Sequence, residues 1–263
     1  MLRDLYHHRA YIWQSAIADV RHRYAGSAGG VLWNIFQPLA LIIVFSVVFT
    51  SVIDRAALSG VEGHVSYAVY LCSLLLPWIA LSDCLNRGTS ALTGSAALLR
   101  RLAIPESVFT AKTAVSAAIG LVISFTLFLI IAVTALGLTP HWTWLLLPIP
   151  MALLMILGFG VAMALGTLHA FIRDTALLVT IMIQVGFWSY PIVYDASFLP
   201  PWAAELVSWN PVAPYFDTIR GIVLRAEAPT LANTLGMLGW SLVACAIGAA
   251  ILKALQAQLR DVI

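Results

Sequence analysis

The chain has 263 residues, of which 61% are hydrophobic and only 10% are Asp, Glu, Lys or Arg, against roughly 25% charged residues in soluble domains. That balance excludes an ordinary soluble enzyme and describes an integral membrane protein. The net charge of +2 points away from nucleic acid as a partner.

Six windows, residues 24–53, 63–82, 113–140, 142–172, 175–194 and 228–252, contain no Asp, Glu, Lys or Arg. Each is at least as long as the ~20 residues that a spanning helix needs. Spanning β-strands would instead alternate in segments of ~10 residues. The fold class is therefore an all-α integral membrane protein with six transmembrane helices, forming one transmembrane domain over 1–263. The predicted spans are 31–53, 65–85, 109–136, 144–168, 175–194 and 231–252. With the N-terminus inside, Arg3, Arg9, Arg21, Arg23, Arg87, Arg100, Arg101, Lys112, Arg173, Lys253 and Arg260 face the cytoplasm. Arg55, Arg220 and Arg225 then lie outside. This bias predicts that both termini are cytoplasmic.

Along the leader, Leu2, Leu5, Tyr6, Trp13, Ala16, Ile17, Val20 and Tyr24 recur at helical spacing, with Arg3, Asp4, His7, His8, Gln14, Ser15 and Arg21 between them. Residues 1–24 read as an amphipathic interface helix lying against the inner membrane surface. Its scattered charges leave no apolar core for a signal peptide, so the leader is expected to stay on the chain. His7 and His8 diverge on a helix and no third ligand follows, which favours surface histidines over a metal site.

Residues Arg21 to Leu39 read RHRYAGSAGGVLWNIFQPL. Arg21 and Arg23 lie on the watery side, Gly26, Gly29 and Gly30 loosen the backbone, and Trp33, Asn34, Phe36, Gln37 and Pro38 enter the membrane. Two readings stand side by side. One is a positive flank with Trp33 as an interfacial anchor. The other is a lipid-phosphate entrance at Arg21 and Arg23 that leads to a membrane path. Asn34 and Gln37 are costly in lipid, so they should face a partner helix or a wet path.

Residues 88–105 join spans 2 and 3. Thr89 or Ser90 is suited to cap a short helix running through Leu98, Leu99, Arg100 and Arg101, and Pro105 stops it. It reads as a plain connector or as a docking helix for a cytoplasmic partner. In span 4, Gly158, Gly160, Ala162 and Gly166 give small residues at close-packing spacing. Span 5 ends in GFWSYPIVYD, where Phe187, Tyr190 and Tyr194 would share one helical face. Aromatics there serve either as belt anchors or as surfaces for sugar stacking. Residues 196–227 hold Pro200, Pro201, Pro211 and Pro214 yet stay apolar. Two amphipathic pieces within them, near 201–209 and 213–225, are too short to span and are expected to be re-entrant or periplasmic helices.

Several chemistries are missing. Lys112 and Lys253 are the only lysines and neither follows G-x-x-x-x-G, so there is no phosphate-binding loop. Mid-span positions carry no ionisable residue for a proton or sodium relay. Cys72, Cys84 and Cys245 fit neither a zinc site nor a disulfide framework and read as small packing residues. The chain is therefore expected to have no catalytic residues, metal or cofactor of its own, and any energy for transport must come from another chain.

Taken together, the leader ending RHRYAGSAGGVLWNIFQPL, the connector AALLRRLAIPE, the Arg173–Asp174 turn, and the SYPIVYD and WNPVAPYFDTIRGIVL segments carry a resemblance over nearly the whole chain. The chain resembles the permease subunit of ABC-2 type exporters, particularly those for lipid-linked polysaccharide or polyol phosphate such as O antigen, capsule and teichoic acid. Ile104–Pro105 stands where that family usually has Phe-Pro. The resemblance implies a homodimer in the bacterial inner membrane with two nucleotide-binding ABC ATPase subunits, which bind ATP and Mg, below it. It implies a coupling helix near 90–102, with Leu98, Leu99, Arg100 and Arg101 seated on the ATPase. It also implies a path for a lipid-linked glycan through membrane lipid, lined by Trp33, Phe36, Gln37, Phe187, Tyr190 and Tyr194. A drug or small-lipid exporter of the same superfamily is the alternative within transport, and a membrane scaffold subunit is the alternative outside it.

Overall fold

The computed structural model describes residues 1–22, 36, 39–44, 67–101, 104–194 and 199–262. The described chain is helical, without strands. The leader forms α1 (Leu2–His7) and α2 (Arg9–His22). Then come α3 (Tyr67–Thr89), the short α4 (Ala91–Gly94) and α5 (Ala96–Arg101), and α6 (Glu106–Thr134). A 3-10 turn at Trp142–Leu146 leads into α7 (Pro148–Phe171), followed by α8 (Thr175–Ser189). Two short helices, α9 (Pro201–Ser208) and α10 (Ala213–Leu224), precede α11 (Leu231–Val262).

Among the described residues, four stretches are long and apolar enough to cross a membrane: Tyr67–Thr89, Glu106–Thr134, Trp142–Phe171 and Leu231–Leu259. They match the predicted spans 2, 3, 4 and 6. Predicted span 1 falls mostly outside the described residues, of which 39–44 are helical. Predicted span 5 is shorter than 175–194, because α8 stops after 15 residues. Fifteen residues rise about 22 Å, less than a hydrocarbon core of ~30 Å. The cause is Pro191, which cannot donate to a continuing helix and forces the residue before it into extended backbone. Tyr190 has φ −126° and ψ 142°.

The helix α7 is the hub, packed against α3, α6 and α11. In lipid, helices gain little from apolar burial against one another, so association depends on close contact of small residues. Gly158 lies against Leu81 and Cys84 of α3, and Gly166 lies against the Gly88 carbonyl. Gly160 faces the other way. A Cβ added there would sit 2.5 Å from the Ala244 carbonyl carbon and the Cys245 nitrogen of α11. Ser241 Oγ of α11 donates to the Leu153 carbonyl of α7 at 3.0 Å and shares a 2.7 Å hydrogen bond with the Tyr215 hydroxyl of α10.

On the leader, Ile12, Ala16 and Val20 form the buried stripe of α2, which packs against α6. Tyr6 and Trp13 point outward instead, so the two aromatics remain available to a membrane surface. One polar junction fixes the far end of α2. Arg87 of α3 donates through Nε and Nη2 to both Asp83 oxygens, at 2.9 and 2.7 Å, and through Nη1 to Asp19 of α2. Ser116 Oγ of α6 donates to the same Asp19 carboxylate at 2.7 Å. Burial alone would raise the Asp19 carboxyl, but the Ser116 hydrogen bond and the Arg87 charge outweigh it and hold the group below the ordinary carboxylate value.

Two predictions arise from this packing. Gly160→Leu should force α7 and α11 apart and cost about 1–3 kcal/mol or more, read as a lower melting temperature of the detergent-solubilised protein. Asp19→Asn should destabilise the leader's docking by about 1–2 kcal/mol at neutral pH, read by limited proteolysis of residues 1–22. A lowered folded pKa gives stability that is present above the unfolded value of ~3.9 and lost as pH falls through the folded value. The wild-type leader should therefore release in acid below about pH 4, while the Asn variant shows no such step.

Candidate translocation and coupling site

The bundle has two polar ends. At one lie the leader, the Asp19–Arg87 junction and the connector helices α4 and α5. At the other, α8 ends and the chain runs on without helix through Tyr190–Tyr194.

That non-helical segment has carbonyls that no helix satisfies, and inside lipid such groups need protein donors. Side chains supply them. Arg220 Nη2 of α10 donates to the Pro191 carbonyl at 2.8 Å. The Tyr67 hydroxyl donates to the Val193 carbonyl and the Tyr70 hydroxyl to the Tyr194 carbonyl at 3.0 Å. The Tyr190 hydroxyl donates to Asp217 Oδ1 of α10 at 2.5 Å. Arg220, only 9% exposed, also lies 4.0 Å from the centroid of the Tyr70 ring, a distance at which cation and π face attract. The first turns of α3 and the body of α10 thus clamp the end of α8. Apolar rings fill the space behind: Tyr190 meets Phe216 edge-on at 5.2 Å between centroids, and Trp78 touches both Phe216 and Phe187.

The predicted path residues separate on this frame. Trp33 and Gln37 lie outside the described residues, as does Arg23 of the predicted entrance. Phe36 and Arg21 are exposed. Phe187 and Tyr194 are half-buried, and Tyr190 is 2% exposed. Because α8 ends at Ser189, Phe187, Tyr190 and Tyr194 do not share a helical face: Tyr190 turns inward to Asp217, and the Tyr194 hydroxyl turns back to the Trp188 carbonyl at 2.9 Å. Beside them Trp188, Ser189, Tyr194, Trp209 and Asn210 border an open cavity of about 540 Å³. Asn210 Nδ2 donates to Ser189 Oγ at 2.9 Å and so ties the end of α9 to the end of α8.

The sequence reading missed Tyr67, Tyr70, Asp217 and Arg220. Arg220 counted there only as a charge on the outer side, within the amphipathic piece 213–225. The signal was present, since a lone arginine inside the apolar run YFDTIRGIVL has to find partners or stay in water.

At the opposite end the connector is two short helices rather than one. The helix α3 runs on to Thr89, Ser90 makes no side-chain capping bond, and Thr93 Oγ1 donates to the Ser90 carbonyl at 3.2 Å. Leu92 and Leu99 are buried, whereas Leu98 is 46% exposed. Arg100 and Arg101 lie in α5, and their side chains fall outside the described residues. Among the described residues no group of His, Cys, Asp and Glu is placed to hold a metal ion. The polar clusters at the two ends tie neighbouring helices and the α8 exit together.

Residues 11–224 match the model of the ABC-2 type transporter family. The chain is similar to an O-antigen export system permease protein RfbA of Myxococcus xanthus, with 23% identity over 231 residues, covering 87% of this chain and 86% of that one. Two such permease proteins of Klebsiella pneumoniae are 24% identical over 208 residues, covering 79% and 77% of the two chains, and 26% identical over 197 residues, covering 74% and 73%. A chain that matches this family over most of its length, and whose described residues include several helices long and apolar enough to cross a membrane, is a transport subunit of the membrane, and it belongs to the ABC-2 type transporter family.

Proposed function

We propose that this chain is the permease of an ATP-driven exporter that moves a lipid-linked polysaccharide of the O-antigen type from the cytoplasmic to the outer side of a bacterial inner membrane. The observation that carries this reading is that three relatives, each matched over roughly three quarters or more of both chains, are all named O-antigen export permeases. The chain itself has no phosphate-binding loop, so a separate ABC ATPase with its ATP and Mg supplies the energy.

In this reading the leader end is cytoplasmic, as the Lys and Arg distribution favours, and the chain crosses the membrane six times. The connector, residues 88–105, is the ATPase dock, with exposed Leu98 and the basic pair Arg100 and Arg101 facing the partner and Leu99 anchoring the helix from within. Arg21 and Arg23 attract the phosphates of the lipid carrier, each basic residue gaining roughly 1 kcal/mol near an anionic surface. A second copy of the chain completes the path, because one bundle of this size is too small to enclose a sugar polymer. On α8, Leu177, Leu178, Ile181, Met182, Val185 and Trp188 are all exposed and apolar, a face suited to that copy or to lipid.

Trp33, Phe36, Gln37, Phe187 and Tyr194 line the path. A polymer that slides needs broad, shallow contacts, and aromatic faces provide apolar area with little directional lock. Tyr190 acts from behind, holding the segment that carries Tyr194 against α10.

Co-expression with the ABC ATPase of the same export system should yield a complex that retains lipid-linked glycan and hydrolyses ATP faster than the ATPase alone. Charge reversal of Arg100 and Arg101 together should abolish that association while membrane insertion stays normal. A permease that never recruits an ATPase would sink the transport reading in favour of a scaffold. A working pair that retains no glycan would favour a drug or small-lipid exporter.

The path makes a second prediction. Trp33→Ala, Phe187→Ala and Tyr194→Ala should each lower glycan export by about three- to tenfold while the complex still assembles and hydrolyses ATP. Tyr190→Ala should behave differently and reduce the folded yield, because it removes a buried ring and leaves Asp217 without that donor. Wild-type export in all three lining variants would place the path elsewhere.

A further inference from the structure

The last helix is longer than a bilayer requires. The 32 residues of α11 extend about 48 Å, against a hydrocarbon core of ~30 Å. Its final part, residues 253–262, carries Lys253, Gln256, Gln258, Arg260 and Asp261 and is too polar for lipid. Yet one stripe of it is buried. Leu252 and Leu259, two turns apart, join Leu92 of α4, Leu99 of α5, Phe109 of α6 and Met163 of α7 in a single apolar cluster. Between the two leucines, Gln256 Nε2 donates to Glu106 Oε2 at 3.1 Å. Glu106 is 1% exposed and opens α6, directly after the Ile104–Pro105 pair that ends the connector.

Both connector helices are far below the ~12–15 residues at which a helix holds itself in water. Their position depends on what they are packed against. A carboxylate buried at their exit is tolerated only when hydrogen-bonded, and one of its donors comes from the far end of the chain. The cluster buries Leu92 and Leu99 and leaves Leu98 outward.

We infer that residues 253–262 form a strut that sets the position of the connector for its ATPase, with Gln256 and Leu259 as positioning residues. The inference rests on the connector being the ATPase dock. Movement of the connector under load is then transmitted to α11 as well as to α3 and α6, which flank it in sequence.

The test uses the full-length permease in nanodiscs, titrated with its ABC ATPase. Gln256→Glu sets a second carboxylate against Glu106 and should weaken ATPase binding by about tenfold, with membrane insertion and the monodisperse yield of the permease retained. The double variant Glu106→Gln, Gln256→Glu restores an amide–carboxylate pair in reverse and should recover the affinity. Leu259→Ala, a milder change, should weaken binding severalfold and guards against misfolding of the charged variant. Unchanged affinity in both Gln256→Glu and Leu259→Ala, alongside loss of binding on reversal of Arg100 and Arg101, would overturn the strut and leave the dock standing. Unchanged affinity on reversal of Arg100 and Arg101 would overturn the dock itself, and the strut with it.

Discussion

Close approach of backbones at α7 is the constraint from which the rest of the bundle follows. Lipid is as apolar as leucine, so the helices cannot be driven together by burial alone. What remains is dispersion between surfaces that fit and hydrogen bonds that lipid cannot replace. Gly158 and Gly166 bring α7 onto α3, and Gly160 brings its other side onto α11. Both contacts use one helix with small residues on two faces, and larger side chains at those positions would separate three spans at once. The Ser241 and Tyr215 hydroxyls then add a polar tie between α7, α10 and α11.

Polar groups are concentrated at the two ends of this packed middle. At the leader end Arg87 gathers Asp19, Asp83 and Ser116 from three helices. At the opposite end Arg220, Tyr67 and Tyr70 converge on consecutive stretches of non-helical backbone. The two arginines act in different ways. Arg87 satisfies carboxylates and remains partly in contact with water, a modest gain for any exposed pair. Arg220 is buried and satisfies a carbonyl and a ring face, a geometry that a guanidinium supports and an ammonium does not. Each fixes the end of a helix that must hold its place while a substrate passes.

A transport subunit needs firm ends that hold while its substrate passes, and no charged residue lies in the middle of a described apolar helix. The stabilising charges are kept at the rims, where the connector and the short helices α9 and α10 meet the longer ones. A displacement of the connector would reach the opposite rim through α3, whose one end adjoins the connector and whose other end holds the α8 exit through Tyr67 and Tyr70.

Four of the six predicted spans were legible in the sequence because a run of ~20 uncharged residues has few alternatives to a membrane helix. Four predicted spans coincide with long apolar helices, and the small residues of span 4 marked its close contacts. The end of α8 was half legible. Pro191 announced a bend, but where Tyr190 turns depends on Asp217, 27 residues further on. The same holds for Asp19 with Arg87 and for Gln256 with Glu106, pairs separated by 68 and 150 residues. Composition and periodicity act locally, through hydropathy and backbone preference, and they determined the helical class, the four long apolar helices and the break at Pro191. Pairing of polar groups far apart in sequence is a property of distances in space, so only the tertiary structure decided which arginine is a rim charge and which is a clamp.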